Sequence, residues 1–102
     1  MTKVTVIEFS PEVIQLVGPH LKKKWGDRLE IIEADCLEWK PPKGVRYGMV
    51  WHDIWDSMCA DNLPDMHILH RRYGRRTDWQ GSWGRWYCEK QKREERDYRS
   101  YW

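Results

Sequence analysis

An α/β fold with a parallel sheet is what this chain predicts, on three observations. Residues 3–56 read strand, helix, strand, short loop, strand. Each strand pattern closes on an acid, at Glu8, at Asp35 and at Asp53. The composition, with 40% apolar and 33% charged residues, is that of a globular chain rather than a disordered one. Strands connected in this way run parallel with right-handed crossovers, and their ligand crevice lies at the carboxyl ends. Three carboxylates delivered to one rim suggest a site that grips hydroxyls, amines or a cation.

Val4 to Ile7 is a β-branched run that reads as a buried strand. Ser10-Pro11-Glu12 opens a helix, with Ser10 as N-cap, Pro11 at the first helical position and Glu12 at the positive helix end. Val13, Ile14, Val17 and Leu21 follow at helical spacing. Gly18-Pro19 predicts a kink or a break. Lys22-Lys23-Lys24 suits the negative helix end, and Gly26 the stop. Leu29 to Ala34 is the second strand, Cys36 to Trp39 a single helical turn, and Lys40-Pro41-Pro42-Lys43-Gly44 a firm stop. Val45 to Trp51 is the third strand. Asp61 or Asn62 caps a second helix whose apolar face is Met66, Leu69 and Tyr73, and Gly74 ends it. Thr77 to Gly84 reads as turn-rich and aromatic, and Tyr87 to Arg99 as an exposed, charged helix. The expected division is 1–76 for the α/β part and 77–102 for a basic, aromatic C-terminal extension.

At 102 residues the chain makes one small domain at most. No apolar run approaches the roughly 18–20 residues of a membrane span. Met1-Thr2-Lys3 runs straight into a strand pattern, which is not how a signal peptide reads. Three widely spaced cysteines, Cys36, Cys59 and Cys88, fit neither a disulfide framework nor a zinc motif, so a reducing cytoplasm is expected. The net charge of +2 hides an asymmetry: residues 1–70 carry 8 Lys/Arg against 11 Asp/Glu, and residues 71–102 carry 10 against 5.

Glu8, at a strand end just before a helix start, can accept from two ribose hydroxyls or stand as a solvated acid. Asp35 can accept from an exocyclic amine while a neighbouring backbone N–H, near Cys36, bonds a ring nitrogen; the plainer reading is a cap for the turn 36–39. In His52-Asp53-Ile54-Trp55-Asp56, the two aspartates can hold an amine or act as general base, with Trp51 and Trp55 as pocket walls. His67 and His70 share a helix face, a spacing more often met in surface histidines than in a metal pair. Arg71-Arg72-Tyr73-Gly74-Arg75-Arg76 followed by Trp79, Trp83, Trp86 and Tyr87 mixes cations and aromatics as single-strand binders do. A non-catalytic nucleic-acid- or protein-binding module over 71–87 is therefore the alternative function.

Three segments, in order and spacing, resemble the second half of the cofactor-binding region of class I S-adenosylmethionine-dependent methyltransferases, the spermidine synthases in particular. Lys3 to Ile14 resembles their second strand and following helix, which implies that Glu8 holds the ribose. Ile32-Glu33-Ala34-Asp35-Cys36-Leu37-Glu38-Trp39 resembles their "GDA" stretch, which implies that Asp35 meets the adenine amine. Met49 to Asp56 resembles their fourth-strand segment, where an aspartate activates the amine nucleophile; this implies a catalytic role for Asp53 with Asp56, and places Asp53 at the reactive end of the cofactor. The resemblance covers about two thirds of the chain. It implies S-adenosylmethionine or a decarboxylated analogue as cofactor and an amine or nucleic acid as substrate.

The family's first strand and glycine-rich loop have no counterpart in these residues. The expectation is thus a Rossmann-like partial domain, a fragment of a longer protein or a small relative that closes its sheet with a second copy. Without the central strand, the remaining strands split into a pair and an orphan with unpaired inner edges. The aromatic segment 79–87 is a candidate to fold into that gap.

Overall fold

Two units, residues 1–41 and 42–102, each build a two-stranded parallel sheet in the computed structural model, which describes residues 3–99. The described residues form a mixed α/β structure with three α-helices. None of these helices is long and apolar enough to cross a membrane.

In the first unit, β1 (Val4–Glu8) and β2 (Leu29–Glu33) pair in parallel from Val4↔Leu29 to Glu8↔Glu33. Helix α1 (Pro11–Trp25) connects them. Its start is the one the sequence signals: the Ser10 hydroxyl accepts from the Val13 N–H at 3.3 Å, and Pro11 follows. Its end is Gly26, whose φ of 59° puts it in the left-handed region and whose N–H reaches the Lys22 carbonyl. The Lys22 ammonium donates to the Leu29 carbonyl, tying the helix end to the head of β2.

Pro19 lies inside α1 and does not break it. An interior proline removes one backbone donor and crowds the carbonyl four residues back, yet α1 runs on to Trp25. Gly18 is buried, and a Cβ there would lie 3.7 Å from the Ile31 Cδ1, so this turn of α1 packs close on β2. Leu29 is buried in this unit, as is Pro41, whereas Phe9 and Leu16 are exposed.

In the second unit, β3 (Tyr47–His52) and β4 (Thr77–Ser82) pair in parallel, with Trp51 opposite Gly81 and His52 opposite Ser82. The orphan third strand therefore takes a partner from a segment whose sequence reads as turns. Gln80-Gly81-Ser82 has little intrinsic strand preference, and the ladder offered by β3 overrides it. Helix α2 (Leu63–Tyr73) connects the two strands and α3 (Arg85–Arg99) follows.

The apolar face read from the sequence is the face that packs: Leu63, Met66, Leu69 and Tyr73 are buried, and Cys88 of α3 joins them. Each such side chain contributes about 1.5–3 kcal/mol on burial. Asn62 does not cap α2 with its side chain; it donates to the Ser57 carbonyl at 2.6 Å and accepts from the Cys59 thiol. Gly84, between β4 and α3, has φ 67°, and a Cβ there would fall 2.3 Å from the Met58 sulfur.

Candidate functional site

The carboxyl ends of β1 and β2 form a rim of acids in the first unit. Glu8 and Glu33 face each other in register, and neighbouring strands lie about 4.8 Å apart. The chain leaves β2 through Ala34, whose N–H donates to the Glu8 carbonyl at 3.0 Å, and reaches Asp35. Glu8 is half-buried, and its Oε1 accepts from the Ser10 N–H at 3.1 Å. Asp35 is half-buried too; its Oδ1 accepts from the Leu37 N–H at 2.9 Å, and its carbonyl accepts from Glu38 and Trp39. Asp35 thus does cap the turn after β2.

Each of the two carboxylates keeps one oxygen, Glu8 Oε2 and Asp35 Oδ2, with no partner among the described residues. Carboxylates accept and do not donate, so a molecule that fits this rim brings hydroxyls, amines or a cation. Cys36 sits half-buried beside Asp35.

Asp53 and Asp56 belong to the second unit, on the loop leaving β3, where both are exposed and make no hydrogen bond or ion pair with the described residues. The two tryptophans beside them do not form one wall. Trp51 lies on the sheet, about half exposed, with its ring stacked on Trp79 at 6.2 Å between centroids and 3° between planes. A Cβ on Gly81 would meet those two rings at 2.7 and 3.0 Å, so glycine is what lets both indoles lie over β4. Trp55 instead packs against the Leu63, Met66 and Cys88 cluster and donates its ring N–H to Asp65 at 3.3 Å. The pairing of Trp51 with Trp55 fails because β3 ends at His52 and the loop turns Trp55 into the core.

A polar network lies between α2 and the other face of the second sheet. His52 is buried, and its Nε2 meets Gln80 Oε1 at 3.1 Å; the Gln80 amide donates to the His70 carbonyl at 2.8 Å. His70 Nε2 meets the Ser82 hydroxyl at 2.7 Å, and Arg85 reaches His70 Nδ1 at 2.9 Å. Burial first, and then the charge of Arg85 with lesser effects of His52 and His67, pushes the His70 pKa down to about 4. Burial also lowers that of His52, against its hydrogen bond to the Gln80 amide oxygen.

A serine touching a histidine invites a nucleophilic reading, which the charge beside the ring opposes. Arg85 lies 2.9 Å from Nδ1 and 3.4 Å from Nε2 of His70. A cation thus stands where a hydrolase places a carboxylate. The network locks β4 and α3 onto α2. Its parity signal, His52 with Gln80 and Ser82 on one sheet face, is readable only once 77–82 is known to be a strand.

With His70 so engaged and His67 exposed, the two do not form a metal pair, and no group of three His, Cys, Asp or Glu among the described residues is placed to hold a metal. Of the basic segment, Arg76 donates to the Pro42 carbonyl at 3.1 Å and is half-buried, while Arg71 and Arg75 are exposed. Trp83 is half-buried, and Trp86 and Tyr87 stand at the start of α3. Trp102 and its two neighbours lie outside the described residues.

Compared with known proteins, the chain matches no family model, no curated sequence and no solved structure.

Proposed function

We propose that the first unit is the ribose- and adenine-binding part of a Rossmann-like nucleoside-cofactor domain of the methyltransferase type, taking S-adenosylmethionine or its decarboxylated analogue. One observation carries the reading: two adjacent parallel strands, connected by α1, bring two half-satisfied carboxylates to their carboxyl ends. That is where an open α/β sheet places its ligand. Glu8 Oε2 accepts from the ribose hydroxyls, and Asp35 Oδ2 accepts from the exocyclic amine of adenine. The local bonds to Ser10 and Leu37 hold each carboxylate in one orientation before the ligand arrives.

When bound, the cofactor supplies an electrophilic carbon on a sulfonium centre. In the second unit, exposed Asp53 and Asp56 are acceptors suited to an ammonium group, or to taking the proton of an amine nucleophile. The substrate class is an amine or a nucleic acid, and the setting a reducing cytoplasm.

Calorimetry with S-adenosylhomocysteine tests the reading. Charge-assisted hydrogen bonds are worth about 1.5–3 kcal/mol, so Glu8→Ala should weaken binding roughly ten- to a hundredfold. Unchanged affinity would remove Glu8 from the site, and a wild-type chain that binds no adenosyl ligand would end the proposal.

A further inference from the structure

A second site of different chemistry lies in the second unit, along α3. A groove of about 600 Å³ runs between α2 and α3. Leu63 and His67 form its α2 wall, and Lys92, Arg93, Arg96 and Arg99 line it from α3. These four recur at helical spacing and so share one side of the helix. Lys92, Arg93 and Arg99 have no ion-pair or hydrogen-bond partner among the described residues, and Arg96 makes a 4.0 Å contact with exposed Asp97. Of the two acids at the groove, Glu89 is neutralised by Arg85 at 3.0 Å, which leaves Glu95 against four cations.

The stripe is not the cationic stretch that stands out in the sequence. Around Arg71 to Arg76 the guanidinium of Arg76 is held by the Pro42 carbonyl. On α3, Arg85, Lys90 and Arg96 each have a carboxylate within 4.0 Å, whereas Lys92, Arg93 and Arg99 have no such partner among the described residues. Lys92 to Arg99 spans about 10 Å of helix at ~1.5 Å per residue. Trp86, 69% exposed, stands seven residues before Arg93 and hence on the same side of α3. A cationic track beside an exposed indole combines backbone neutralisation with base stacking.

We propose that the α2–α3 groove binds single-stranded nucleic acid, with Lys92, Arg93, Arg96 and Arg99 on successive phosphates and Trp86 stacked on a base. The site is built from residues of the second unit alone, and its failure would leave the adenosyl reading of the first unit as it is.

Fluorescence anisotropy of the full chain with a labelled oligouridylate, over a series of KCl concentrations, is the test. The expected result is affinity falling with salt at a log–log slope of about −2 to −3, as three to four single-strand contacts require. Replacing Lys92, Arg93, Arg96 and Arg99 by Gln should abolish that slope. All four are solvent-exposed, and circular dichroism checks that the variant stays folded. Trp86→Ala alone should weaken binding roughly five- to a hundredfold with the slope kept. Lys22→Gln, Lys23→Gln and Lys24→Gln together, an equally exposed run in the first unit, should leave binding within about twofold, as expected of screened charges that contact no phosphate. No binding at low salt, equal loss in the lysine-run variant, or tighter binding to a duplex of the same length would each overturn the proposal.

Discussion

The two units share a plan, a parallel pair of strands connected by a helix, and differ in what fills them. In the second, Leu63, Met66, Leu69, Tyr73 and Cys88 close into a buried core, and His52, His70, Gln80, Ser82 and Arg85 bind the sheet to both helices. In the first, Leu29 and Pro41 are the buried apolar side chains among the described residues, every residue of β1 is half-buried, and Leu16 stands 74% exposed. The acids that suit a ligand lie on the thinly packed unit. A ligand held on the proposed rim would therefore stabilise the more thinly packed unit.

The largest effect that can break this comparison comes from the core. Met66→Ala should cost about 2–5 kcal/mol, as deletion of a fully buried side chain does, and lower the main transition in calorimetric melting. Leu29→Ala should leave that transition where it is and instead speed amide exchange across 3–34. A single transition shifted alike by both variants would mean that the units melt as one, and the contrast would fall.

A smaller effect belongs to the β4–α3 junction. Gly84→Ala forces a left-handed residue to carry a Cβ against Met58, a strain of about 1–3 kcal/mol. It should destabilise the second unit in urea melts, with no change in exchange over the first. The Met58→Ala background should recover part of the loss by removing the clash.

The smallest effect is acid sensitivity. The folded His70 titrates near 4, below its unfolded 6.5. Between those values the unfolded chain binds a proton that the native one does not. Stability linked to His70 is therefore complete above about pH 6.5 and is lost as pH falls toward 4. The urea midpoint of the second unit should drop over that window, and His70→Gln should flatten the drop. Screening limits its size, since His70 is partly open to solvent. A midpoint independent of pH between 6.5 and 4 would show that His70 is not held neutral.

Much of this was legible in the sequence because it rests on local signals. Ser10-Pro11 opens α1, Gly26 closes it, and the Met66, Leu69, Tyr73 spacing marks the buried face of α2. Glu8 closes β1 where the pattern put it, whereas β2 closes at Glu33 and Asp35 stands two residues on, capping the turn that follows. What stayed hidden depends on partners distant in sequence. Gln80-Gly81-Ser82 becomes a strand through β3, Trp55 enters the core because its loop turns after His52, and His70 is defined by Ser82 and Arg85.

Amide shift mapping of the full chain with S-adenosylhomocysteine tests the central claim, that the first unit's acidic rim holds an adenosyl ligand. The account predicts perturbations at Glu8 to Ser10 and at Ala34 to Leu37, slower exchange along β1 and β2, and loss of all of these in Glu8→Ala. Shifts confined to residues beyond 42, or none at saturating ligand, would contradict it.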